Sequence, residues 1–142
     1  MAALRIPGPR VPRRADGLWM HTCFEAFLMQ KKGYYEFNFA PSTEWAVYRF
    51  SGYRDGMSVI RPARPPKISV TLDAHGLWLS ATIDPSGLSE GFEGANPILA
   101  LSAVIEEQDG RLSYWALKHP PGRPDFHHPD GFALRLDPPD NA

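Results

Sequence analysis

Four side chains raise the question of chemistry first: Trp19, Glu25, Arg49 and Trp115. Aromatic rings lie against the apolar face of a pyranose. Charged or amide side chains then take its hydroxyls in paired hydrogen bonds. This set therefore has the composition of a sugar-binding site. The same residues admit a plainer reading, in which Trp19 and Trp115 are packing rings and Glu25–Arg49 is an ion pair across the sheet.

A second group lies in the loop His119-Pro120-Pro121-Gly122-Arg123-Pro124-Asp125-Phe126-His127-His128. Imidazole and carboxylate are good zinc ligands, but the spacing matches no zinc signature and three prolines hold the loop extended. No metal site is assigned. Asp125 and His127 are expected to fix the loop by side-chain-to-backbone hydrogen bonds. With His119 they would form a rim of a ligand site, to which His21 is added. Cys23 reads as a buried, inert thiol, because His21 two residues away along a strand is about 7 Å off, too far for a base. Glu25 and Glu36 could sit on neighbouring strands as a carboxylate pair of the kind used in glycoside hydrolysis, although nothing in the sequence selects them. There is no Gly-rich phosphate loop, zinc-finger spacing or G-x-S-x-G elbow, and no catalytic residue is assigned.

The elements that must position these groups are strands. Residues 20–29, 34–39 and 45–50 are three aromatic and β-favouring runs separated by Lys31-Lys32-Gly33 and by Pro41-Ser42-Thr43-Glu44, the pattern of consecutive antiparallel strands. Residues 20–29 are apolar on both alternating sets, as in a central strand. A glutamate there is costly to bury, so Glu25 needs an arginine, a hydrogen-bonding ligand or a wet cleft. In residues 34–39 the period of two puts Tyr35, Phe37 and Phe39 on one face and Tyr34, Glu36 and Asn38 on the other. Gly52 to Met57 reads as a tight loop. Residues 68–73 and 77–83 form a hairpin about Ala74-His75-Gly76, and a helical turn is expected near Pro85 to Leu88. Residues 98–106, 112–117 and 132–136 complete about eight strands. The expected fold is all-β, an antiparallel two-sheet β-sandwich, with a closed barrel as the alternative.

The chain has 142 residues, enough for one domain with a real core, and 15 prolines and 12 glycines favour loops and strands over helices. The expected organisation is an extended Arg/Pro-rich arm over 1–17, the sandwich over 18–136 and a frayed tail over 137–142. The arm's arginines read as solvated surface. A net charge of −1 gives no field toward nucleic acid or an anionic membrane. No apolar run reaches the roughly 20 residues of a membrane span. With a single cysteine and no secretory signal, the sequence reading expects a soluble, cytoplasmic protein.

The runs from Leu18-Trp19 through His21-Thr22-Cys23-Phe24-Glu25-Ala26-Phe27, Tyr34 to Pro41 and Tyr48 to Met57 resemble the DOMON-like proteins of bacteria, which are related to the family 9 carbohydrate-binding modules. So do Ser113-Tyr114-Trp115-Ala116-Leu117, His119-Pro120 and Pro124-Asp125-Phe126-His127. The resemblance covers roughly residues 4–136. It implies an immunoglobulin-like or jelly-roll sandwich and a non-catalytic domain binding a carbohydrate or sugar derivative. Trp19 and Trp115 would clamp the sugar, with Glu25 and Arg49 on its hydroxyls. An enzyme or accessory protein of cell-wall sugar metabolism is the alternative, with His21, Glu25 or His127 in acid–base work. Other DOMON relatives bind haem through a methionine and a histidine, atoms that Met20, Met29, His21 and His127 offer. Relatives of the sugar-binding module bind calcium, for which no ligands match here. The family usually carries strands before the position of Leu4. The expectation is therefore either a gene start set too far downstream or a domain lacking edge strands, whose open edge would invite a homodimer.

Overall fold

The computed structural model describes residues 4–88 and 96–136. The fold is all-β and antiparallel. The large sheet runs β4-β3-β2-β1-β7-β8, with β9 paired to β7, and a separate hairpin β5-β6 faces it. The strands are β1 Cys23–Met29, β2 Tyr34–Phe39, β3 Trp45–Phe50, β4 Ser58–Val59, β5 Lys67–Asp73, β6 Gly76–Thr82, β7 Ile98–Glu106, β8 Leu112–Ala116 and β9 Leu134–Arg135. This is the two-sheet sandwich expected, and β1 is its central strand. The first strand starts later than expected because Leu18–Met20 is a 3-10 turn. The two-residue β4 is too short to leave an alternation that could be read. Pro85–Gly87 forms the expected helical turn. The tail over 137–142 lies outside the described residues.

Antiparallel pairing of β1 with β2 and of β2 with β3 sets Glu25 opposite Asn38, Phe27 opposite Glu36, Glu36 opposite Tyr48 and Phe37 opposite Val47. Because side chains alternate, this register sorts the strands into two faces. One face carries Ala26, Leu28, Tyr35, Phe37, Phe39, Trp45 and Val47, and packs against Ile68, Leu79, Ala81 and Ile83 of the hairpin region. The other carries Phe27, Tyr34, Ala46, Tyr48 and Phe50 beneath Leu18, Phe126 and Phe132. The second face is thus roofed by the N-terminal turn and the long loop, not by a sheet. Gly33 closes the β1–β2 turn at φ +77°, and a Cβ there would meet the Phe50 carbonyl oxygen at 1.9 Å, so only glycine fits.

The N-terminal arm is fastened along the end of the sheet. Leu4 bridges Glu107, Arg14 bridges Trp45, and the Arg10 amide donates to the Ser42 carbonyl at 2.9 Å. Arg5, Arg10 and Arg13 are exposed and the Arg14 side chain is largely buried, and all four are paired, which corrects the reading of them as simply solvated. Arg13 Nε meets Glu44 at 3.1 Å, Arg5 lies 3.8 Å from Glu106, and Arg14 binds Asp16. Ion pairs open to solvent contribute little to stability. Their main effect is to hold Asp16 and Trp19 over the sheet.

Candidate functional site

The roofed face holds a cleft of about 630 Å³ whose lining includes Asp16, Trp19, Glu25, Glu36, Tyr48, Arg54, Tyr114 and His127. Its floor is two glutamates. Glu25 and Glu36 are each only 6% exposed, and they are hydrogen-bonded to one another across the β1–β2 diagonal. Burial, followed by the neighbouring Glu36 carboxylate, pushes Glu25 far above the usual carboxylate range. Glu36 is also raised, again mainly by burial. Two carboxyls in contact in a poorly hydrated site cannot both ionise, so the pair keeps a shared proton at neutral pH. With its amide nitrogen turned toward Glu25, Asn38 donates to Glu25 Oε1 at 3.1 Å and fixes that end of the pair.

The other end is fixed by His127. The Arg54 backbone amide donates to the Tyr34 hydroxyl at 3.2 Å, and that hydroxyl lies 2.6 Å from His127 Nδ1. The arrangement that uses every polar atom has Tyr34 donating to Nδ1. The ring proton then sits on Nε2, which faces Glu36 Oε1 at 3.4 Å. Burial, helped by the Arg54 charge, depresses His127 to about 4, so the imidazole is neutral at pH 7. A continuous line of polar groups thus runs from Tyr34 through His127 and Glu36 to Glu25.

The walls are aromatic and charged. Trp19 and Tyr114 are each 44% exposed. Asp16 accepts from the Tyr48 hydroxyl at 2.7 Å and is paired with Arg14, which holds its carboxyl down to about 2. Arg54 Nη2 donates to Asp125 Oδ1 at 2.8 Å, and Asp125 accepts a further bond from Tyr53.

The expected site residues divide between the two faces. Trp19, Glu25 and His127 line the cleft, and Asp125 stands behind its Arg54 wall. Asp125 also accepts the His127 backbone amide at 3.1 Å, the loop-fixing bond anticipated for it. The His127 side chain, anticipated to do the same, instead faces Tyr34 and Glu36. His119 is exposed beside Phe126, with ring centroids 6.4 Å apart. His21 lies outside the cleft, its Nδ1 3.0 Å from the buried Glu106.

Arg49 and Trp115 are corrections. Arg49 is opposite Tyr35 in the β2–β3 register, so it is on the hairpin-facing side of the sheet and cannot meet Glu25. Its guanidinium lies 5.3 Å over the Tyr35 ring and donates to the carbonyls of Lys32, Tyr34 and Phe50. It closes the β1–β2 turn. Trp115 is opposite Ala103, itself opposite Phe24, which puts it on the same far side at 63% exposure. A Trp19–Trp115 clamp is therefore not formed. Tyr114, opposite Val104 and Cys23, is the ring that shares the cleft with Trp19.

Tyr34, Tyr48, Arg54 and Tyr114 were not singled out from the sequence. The signal for Tyr114 was parity alone, and the Arg54–Asp125 contact joins loops with no shared pattern. Cys23 is fully buried and its thiol is pushed up by burial, which leaves it inert. Among the described residues no group of three or more His, Cys, Asp or Glu side chains converges to hold a metal. No helix among them is long and apolar enough to cross a membrane. Comparison of the chain with protein-family models, curated proteins and solved structures finds no match.

Proposed function

We propose that this chain is a non-catalytic ligand-binding domain whose ligand, a carbohydrate or sugar derivative, sits over Glu25 and Glu36 between Trp19 and Tyr114. The observation that carries the reading is two exposed rings standing beside a buried, hydrogen-bonded carboxyl pair in one cleft. Rings supply stacking area for the apolar face of a sugar, and the pair supplies both a donor and acceptors for hydroxyls. Kinship with DOMON-like domains is part of this proposal and rests on the sequence resemblance, with which an all-β sandwich is consistent. Loss of the Trp115 clamp means that any sugar is held differently from the way the resemblance implied.

The enzyme reading has one observation in its favour, the polar line from Tyr34 to Glu25, which resembles an acid–base relay. Glycoside hydrolysis by the pair fits poorly. It needs carboxyls about 5–5.5 Å apart, or about 6.5–9.5 Å with an intervening water, whereas these two are in direct hydrogen-bond contact. Of the two histidines a haem reading would use, His127 has both ring nitrogens facing partners, whereas His21 engages Glu106 through Nδ1 alone and lies outside the cleft.

The test is a fluorescence titration with a panel of mono- and disaccharides in wild type and Trp19→Ala. A saturable change that weakens at least about tenfold in the variant is expected. Glycan binding that survives Trp19→Ala unchanged would sink the proposal. Recovery of every ligand unaltered separates binding from turnover.

A further inference from the structure

The cleft's charges are unbalanced in a way that a neutral sugar does not use. Of the three carboxyl side chains that line it, Asp16 is paired with Arg14, and the lining guanidinium, Arg54, is engaged by Asp125 at 2.8 Å, which leaves the charge of the Glu25–Glu36 pair unbalanced. The pair has Asn38 at one end and His127 at the other, and neither neighbour brings a positive charge to it. The rings of Trp19 and Tyr114 stand on the same cleft, and their faces attract cations. Resting on the ligand-binding reading above, we infer that the ligand carries a protonated amine, as in an amino sugar, which docks on Glu25–Glu36 beside Trp19 and Tyr114.

The proton balance follows. In the empty cleft the pair holds a shared proton because two bare carboxylates cannot lie in contact. An ammonium group provides the missing positive charge and hydrogen-bond donors. It takes the place of the shared proton, which leaves to solvent, and no other bond is made or broken. The titratable and charged groups around the pair are Cys23 and Tyr48 on the sheet, Tyr34 and His127 at the far end, Arg54 on the loop after β3, and Asp16 on the arm. Of these, His127 is neutral at pH 7, and the two tyrosines are held above their ordinary value chiefly by burial. None of them duplicates the proton release predicted for the pair.

The experiment is calorimetry at pH 7 with glucose, N-acetylglucosamine, glucosamine and cyclohexylamine, in two buffers of different ionisation enthalpy. Glucosamine is expected to bind at least about tenfold more tightly than either neutral sugar, with proton release to the buffer. In Glu25→Gln, with its fold checked by circular dichroism, the preference for glucosamine over the neutral sugars and the proton release should both collapse. The wild-type panel decides the matter even if the variant does not fold. Equal or weaker binding of glucosamine overturns the inference and leaves the sugar reading standing. Binding of cyclohexylamine with no sugar bound supports the amine and overturns the sugar. Silence from all four compounds overturns both.

Discussion

The two faces of the large sheet are made from alternate residues of the same three strands, yet they differ in almost every physical respect. Facing the β5–β6 hairpin, Phe37, Phe39, Trp45 and Val47 form a dry layer with ordinary apolar packing. Facing the cleft, Glu25, Glu36 and Asn38 are as deeply buried, and a polar cluster is thus set beside the apolar rings of Phe27, Tyr34 and Phe50. The first face derives its stability from area removed from water, about 25 cal/mol per Å². The second bears a desolvation cost that the shared proton and the hydrogen bonds only offset. The comparison teaches that period-two alternation lets one strand hold a fold and a site at once, with a one-residue shift separating the two roles.

The contrast is broken most severely on the dry face. Phe37→Ala should cost about 3–5 kcal/mol, as expected for deleting a buried ring, and denaturant unfolding should show a clear drop in midpoint. A loss below about 1 kcal/mol would mean that the hairpin does not pack there. Arg49→Met tests the corrected role of that arginine. Three carbonyls at the β1–β2 turn lose a donor, so stability should fall by about 1–3 kcal/mol while ligand affinity stays within about twofold.

The polar face should reveal itself through pH. The pair binds protons more tightly in the folded chain than in the unfolded one, so its contribution is present at low pH and is lost as pH rises above about 4.5. His127 has the opposite sign. Depressed to about 4, it contributes fully above pH 6.5 and loses that contribution as pH falls toward 4. Between pH 6.5 and 8 only the slope of the pair remains. Thermal melts across that window should show Tm falling by on the order of 4 °C. The fall should be shallower in Glu25→Gln, whose side chain carries no proton to lose. A flat wild-type profile would show that the two carboxyls do not share a proton.

Much of this division was legible in the residues. The alternation Tyr35-Glu36-Phe37-Asn38-Phe39 marks a polar and an apolar face without any structure, and the cost of Glu25 in a central strand called for an arginine, a hydrogen-bonding ligand or a wet cleft, of which the fold supplies the cleft. Parity also places Arg49 in the row of Trp45 and Val47, but only the strand pairing tells which row Glu25 faces. Trp115 and Tyr114 are adjacent, and the choice between them rests on the β7–β8 register, set by the turn after Glu106 rather than by a hydrophobic pattern. The Tyr34–His127 and Arg54–Asp125 contacts could not be read at all. They join a strand or loop near the start of the domain to the loop near its end, and nothing local encodes such a meeting.

The most direct measurement of the central claim titrates two variants side by side, Trp19→Ala and Trp115→Ala, with the sugar or amino sugar that wild type binds best. Both rings are exposed, so neither loss should change the fold, and the smallest stability effects in the set are expected here, about 0.5 kcal/mol or less. The two-face account predicts that Trp19→Ala weakens binding at least about tenfold while Trp115→Ala leaves it unchanged. Binding lost in Trp115→Ala and kept in Trp19→Ala would contradict it, and would place the site on the far face of the sheet.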